Sequence, residues 1–132
     1  MHAALVKNEV TLVRDVRFCV RLKDRLTGLL GVRSLGEGRG VFIAPCNAIH
    51  TFFMRMSLDA VFLSRDLRVT RLVRGVRPWR MVLGGPAAWG VVEMEAGWLP
   101  REALREGDQV GLRPATPATE NVLKSRPWRE SS

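Results

Sequence analysis

The chain has 132 residues, 46% of them hydrophobic and 26% charged, with a formal net charge of +8 and a pI near 11.1. This is the size and make-up of one globular domain; it excludes a disordered polyampholyte and, with only two cysteines, a secreted disulfide framework. No apolar run reaches the roughly 18 residues that a membrane-spanning helix needs.

Arginine supplies nearly all of the positive charge. Basic residues scattered along most of a chain read first as a solvated, soluble surface. A nucleic-acid partner calls for basic residues on one face with stacking aromatics, so that partner, or another polyanion, is not favoured.

The N-terminus, Met1 to Glu9, has no apolar signal core, so the chain reads as cytoplasmic. From Leu12 to Leu22 the residues alternate: Val16, Phe18, Val20 and Leu22 point one way, and Asp15, Arg17, Cys19 and Arg21 the other. A period of two predicts a half-buried strand, with Cys19 on its polar side. Lys23 to Leu30, with Asp24 as cap, is expected to form one or two helical turns. Gly36-Glu37-Gly38-Arg39-Gly40 predicts a tight turn requiring positive φ, because it has neither the P-loop ending nor a dinucleotide spacing.

Short apolar strands are predicted at Val41–Ala44, Ile49–Met54 and Leu58–Leu63. Ser64-Arg65-Asp66 turns the last of these into Leu67–Val73 as a hairpin. Pro78-Trp79 and Gly84-Gly85-Pro86 bracket a loop, and Ala88–Glu95 is a further strand. Gly97–Glu106 can hold a short helix, and Gln109–Leu112 is the last strand. The expected fold is mainly β with minor α. It is a single compact domain over residues 1–112, a strongly curled or barrel-like mixed sheet with one or two short helices. Residues 113–132, rich in Pro, Thr, Ser and charge, are expected to form a flexible tail.

With these elements placed, the chain resembles a bacterial and archaeal family, the domain of unknown function one-nine-two, also called uncharacterised protein family zero-one-two-seven. Arg25 with Gly28-Leu29-Leu30 looks like its Arg-x-x-Gly-Leu-Met block, with leucine replacing methionine, and Gly40-Val41-Phe42-Ile43 like its Gly-Met-Leu-Phe strand. His50-Thr51-Phe52-Phe53-Met54 and Leu58-Asp59-Ala60-Val61-Phe62-Leu63 are similar to its aromatic-Met block and Leu-Asp strand. Glu93 with Gly97, and Gly107-Asp108, look like its closing blocks. The linker from Met54 to Asp59 is shorter than in many members. The resemblance implies a compact, mostly β domain and carries no established activity. Many members have an N-terminal export signal, which is not seen here.

Candidate chemistry centres on Cys46, His50, Asp59 and Glu93. Cys46 and His50 would lie about 13 Å apart on one strand, too far for a thiolate–imidazole pair unless a turn brings them together. Asp59, in an apolar run, is expected to pair with a guanidinium, Arg25 or Arg33, or to act as an acid or base with Glu93 opposite. Cys19, Cys46, His50 and Asp59 match no zinc spacing, so no metal and no cofactor is expected. Arg65, Arg68, Arg71, Arg74, Arg77 and Arg80 recur every third residue, as on an edge strand protected by charge. Trp79, beside Pro78 and Arg80, is the tryptophan suited to binding.

The function predicted is a small non-enzymatic ligand-binding or accessory module, its partner a small ligand or a protein. Its groove would be lined by Arg25, His50, Phe52, Met54, Asp59 and Trp79. The alternatives are a hydrolase-like enzyme using Asp59/Glu93 or Cys46/His50, and a polyanion binder.

Overall fold

The computed structural model describes residues 1–19 and 35–114 of the chain. Nine strands follow one another: β1 (His2–Lys7), β2 (Val10–Cys19), β3 (Arg39–Ile43), β4 (Ala48–His50), β5 (Leu58–Leu63), β6 (Val69–Val76), β7 (Met81–Leu83), β8 (Gly90–Glu95) and β9 (Gly111–Pro114). Seven of them form one sheet in the order β6-β5-β8-β3-β2-β1-β9, and β4 and β7 form a separate two-stranded ribbon.

Composition and register explain the centre of the sheet. β5 is buried along its whole length and pairs on both sides, with β6 and with β8. Side chains alternate between the faces of a strand. Leu58, Ala60 and Phe62 therefore join Val41, Ile43 and Val91 in one core, while Val61 and Leu63 join Phe42, Val92 and Met94 in another. The β4–β7 ribbon covers the first core through Ile49 and Val82. Its approach is close: a Cβ on Gly84 would come within 2.3 Å of the Phe62 ring. The second core is completed by Leu99, Leu104 and Val110.

Several expectations are corrected. β1 was not foreseen. It joins β2 through Asn8 and Glu9, both at positive φ (50° and 68°), a tight hairpin turn built without the Asn-Gly pair that announces one. Cys19, on the side of β2 read as polar, is covered and buried (1% exposed), and so is Asp15 on the same side. Asp15 lies 2.6 Å from Nδ1 of His2 and 3.9 Å from Nε of Arg39. The strand expected over Ile49–Met54 ends at His50, and the expected loop between Pro78 and Gly85 contains β7.

No helix is present among the described residues. Gly97–Glu106 runs as turns, and Arg74 donates to the carbonyls of Leu99, Pro100 and Arg101. The helix expected over Lys23–Leu30 lies outside the described residues. No helix among the described residues is long and apolar enough to cross a membrane.

The sheet is not a closed or strongly curled barrel. The segments that lead into its end strands, Leu67–Val69 before and at the start of β6 and Gly107–Val110 before β9, meet at the isolated bridge Arg68↔Gln109 and through three backbone bonds (Gly107 and Val110 to the carbonyls of Val69 and Leu67, and Val69 to that of Asp108). A continuous ladder would need β9 to run along β6. β9 instead pairs along its length with β1, Ala3 to Val6.

Candidate functional site

The ribbon and the two loops at its ends build an unusual surface. Thr51, fully buried, follows β4 and ties these loops together. Its hydroxyl donates to the carbonyl of Arg77 (2.6 Å) and accepts from the amide of Arg80 (2.9 Å). Its own amide donates to the carbonyl of Arg80 (2.8 Å), and its carbonyl accepts from the amides of Trp79 (2.9 Å) and Met54 (3.1 Å). Held this way, Phe53 and Trp79 both adopt the left-handed backbone conformation, with φ of 64° and 66°. For a non-glycine residue that conformation costs on the order of 1–3 kcal/mol.

The side chains so placed face water. Phe53 is 69% exposed and Trp79 55%, with their ring centroids 4.7 Å apart. Trp79 also stacks on Phe52 at 5.9 Å, and Phe52 meets the ring of His50 at 5.1 Å. The ladder pairs His50 with Met81 and Ala48 with Leu83, so these four share the outer face of the ribbon. Met81 and Leu83 are exposed too. The result is one apolar strip from Leu83 to Phe53, flanked by the exposed Arg55, Arg77 and Arg80.

Asp59 lies elsewhere, as a structural pin. The β5–β6 register shifts between Leu58 and Ala60, leaving a bulge at Arg74-Gly75 opposite Asp59. The carboxylate accepts the amides of Gly75 (2.8 Å) and Gly97 (3.2 Å), both glycines at positive φ, and Nη1 of Arg74 is 3.9 Å away. The guanidinium beside Asp59 among the described residues is thus Arg74; Arg25 and Arg33 lie outside them. A hollow of about 420 Å³ opens here, lined by Asp59, Arg74, Gly97 and Leu99 among others. A second, of about 360 Å³, shares Arg74 and Gly75 with it and runs past Arg77 and Arg80 to Met81. The second hollow reaches the strip at Met81.

The residues considered for catalysis do not gather. Asp59 pairs with Met94 in the ladder while Glu93 pairs with Ala60, so the two carboxyl groups point to opposite faces of the sheet. Glu93 sits among the first core's side chains, 5% exposed, and burial pushes its carboxyl up from 4.5 to about 7. The Cys46 thiol donates to the carbonyl of Ala48 (3.0 Å) and lines a separate hollow with Pro45, Asn47, Ala88 and Trp89. His50 is exposed against Phe52. Neither Cys19 nor Cys46 is in a disulfide. Among the described residues no cluster of three or more His, Cys, Asp or Glu is placed to hold a metal.

Of the predicted ligand-binding residues, His50, Phe52 and Trp79 come together, Met54 is buried, Asp59 lines the hollow beside Arg74 and Gly97, and Arg25 is outside the described residues. Sequence reasoning missed Thr51, Phe53, Met81 and Leu83. A threonine inside an apolar run gives no sign that it will be a buried clamp. The alternation Met81-Val82-Leu83 was the available sign of β7, but three residues between two loop signals are too few to read as a strand.

The model of a family described as "Uncharacterized ACR", domain of unknown function one-nine-two, matches residues 4–112. The UPF0127 protein of Thermococcus kodakarensis is 28% identical over 104 residues, covering 72% of this chain and 65% of its own length. The chain thus spans less than two thirds of that relative. A crystal structure of a protein of unknown function from Novosphingobium aromaticivorans DSM 12444 is similar with a TM-score of 0.72 and 18% identity, covering 84% of each chain. A protein from Sinorhizobium meliloti 1021, described as a proposed transcription regulator, has the same TM-score and identity, over 84% of this chain and 92% of its own. At such identity the likeness is one of fold alone.

Proposed function

Since this chain belongs to the uncharacterised domain-of-unknown-function family one-nine-two, we propose its role from its own surface: a small non-enzymatic binding module. The binding surface is the strip His50, Phe52, Phe53 and Trp79 with the adjoining hollow lined by Arg77 and Arg80. The partner is anionic with an apolar portion. One observation carries this reading. Thr51 fastens two loops, and two aromatic residues there adopt left-handed backbone with more than half of their surface left in water. Strain and apolar exposure kept at one place are an arrangement suited to binding. Clamped rings also lose little freedom when a partner arrives.

The test uses an anionic apolar dye, anilinonaphthalene sulfonate, as probe. Amide chemical-shift mapping on the full chain is expected to move residues 51–55 and 77–83. Phe53→Ser/Trp79→Ser, a change at two exposed positions, is expected to abolish dye binding without altering the circular dichroism spectrum. Shifts confined to other regions, or dye binding unchanged in the double variant, would refute the reading.

A further inference from the structure

We propose that the strip is a peripheral docking surface for an anionic lipid bilayer, with Phe53, Trp79, Met81 and Leu83 entering the interface and Arg55, Arg77 and Arg80 meeting the phosphates. This rests on the binding-surface reading above and names the partner.

The described residues include six large hydrophobic side chains that are strongly exposed, and four of them are in this strip. Phe53 and Trp79 touch, and Met81 and Leu83 stand two residues apart on the outer face of β7, whose inner face is fixed to the core by Val82. The ribbon cannot turn this face inward, because Gly84 is already against Phe62. Charge completes the match. Residues 47–57 and 67–92 contain six arginines and no aspartate or glutamate. Arg71 is tied down on the Leu83 carbonyl, while Arg55, Arg77 and Arg80 remain exposed around the strip.

Tryptophan and phenylalanine settle at the level of lipid headgroups, and arginines beside them are drawn to an anionic leaflet. Other partners fit less well. A nucleic acid needs open ring faces for bases, yet Trp79 is already stacked on Phe52 and abutted by Phe53, and half of the strip is aliphatic. A second copy docking through the same face would bring like charges together.

The experiment is co-sedimentation of the full chain with vesicles of phosphatidylglycerol and phosphatidylcholine, against vesicles of phosphatidylcholine alone. Binding is expected to the anionic vesicles at low salt and to weaken as salt is added. Arg77→Gln/Arg80→Gln is expected to weaken it by about thirtyfold, two cations at about 1 kcal/mol each. Phe53→Ser/Trp79→Ser is expected to weaken it by more than about tenfold. Met81→Ser/Leu83→Ser, away from the strained loops, gives the same readout should the first pair disturb folding. No binding to anionic vesicles at low salt, or binding unaltered in both hydrophobic variants, would overturn the proposal. So would a single-stranded oligonucleotide that binds through Phe53 and Trp79 while vesicles do not. If vesicles fail while the dye still binds at residues 51–55 and 77–83, the binding surface stands and the lipid assignment falls. If the dye maps elsewhere, both fall.

Discussion

Asp59 and Glu93 stand one ladder step apart on neighbouring strands and face opposite sides of the sheet. Asp59 is level with Met94, and Glu93 with Ala60. The pleat alone therefore gives the two carboxyl groups different roles. One accepts backbone amides at a bulge; the other is enclosed in an apolar core. Their separate environments lead to separate predictions.

Glu93 sets a pH dependence of stability. Its carboxyl is raised from 4.5 to about 7 by burial, so between these values the folded chain holds a proton that the unfolded chain has released. Stability then falls as pH rises through this window and is undiminished below it. The full loss, reached above pH 7, is on the order of 3 kcal/mol. Urea unfolding of Glu93→Gln at pH 5 and pH 8 is expected to show little of this slope, with the variant more stable than the parent at pH 8. An unchanged slope would mean that another group causes it.

Asp59→Ala removes the acceptor for the amides of Gly75 and Gly97 and leaves Arg74 without its carboxylate. Unsatisfied amides and a broken, mostly buried ion pair together cost about 3 kcal/mol. Chemical denaturation should show that loss. Amide exchange should rise first at Gly75 and Gly97, the two residues pinned by this side chain. A variant as stable as the parent would show that the bulge is held by other means.

Thr51→Val keeps the shape of the side chain but loses the hydroxyl bonds to Arg77 and Arg80. The expected cost is about 1–3 kcal/mol. Its signature is local: amides of Met54, Trp79 and Arg80 exchange faster while those of β5 and β8 stay protected. Uniform acceleration across the sheet would instead mark Thr51 as an ordinary core residue.

Gly84→Ala sets a methyl group 2.3 Å from a ring carbon of Phe62, at the contact where the ribbon lies on the sheet. Overpacking of this kind costs about 1–3 kcal/mol, and the ribbon must lift to relieve it. The melting temperature should fall. Gly84→Ala combined with Phe62→Leu should recover part of the loss, because the shorter side chain makes room. If the pair of changes is simply additive, the two residues are not in contact.

Much of the sheet was legible because strands are written in local residue pattern. Leu58–Leu63 appears as an apolar run, broken only by Asp59, with turn residues after it, and it forms the fully buried strand β5 over those same residues. Of the six arginines read as an edge strand, Arg71 and Arg74 lie in β6, which is at the end of the strand order; Arg65, Arg68, Arg77 and Arg80 lie outside it. β1 was hidden because Asn8-Glu9 is an uncommon pair for its turn, and β7 because three residues carry too little pattern. The helix read into Gly97–Glu106 had plausible local signals, but the segment runs as turns, with Arg74 of β6 bonded to the carbonyls of Leu99, Pro100 and Arg101.

By itself the amino-acid order determined a β-rich chain, the extent of its buried strand β5 and its family, since each depends on patterns of residues read along the chain. Only the tertiary structure decided which carboxyl faces which side, which guanidinium among the described residues stands beside Asp59, and that Phe53 and Trp79 meet in water. Those outcomes depend on ladder register and on Thr51 reaching a loop 26 residues away, and neither is encoded in any single stretch of chain.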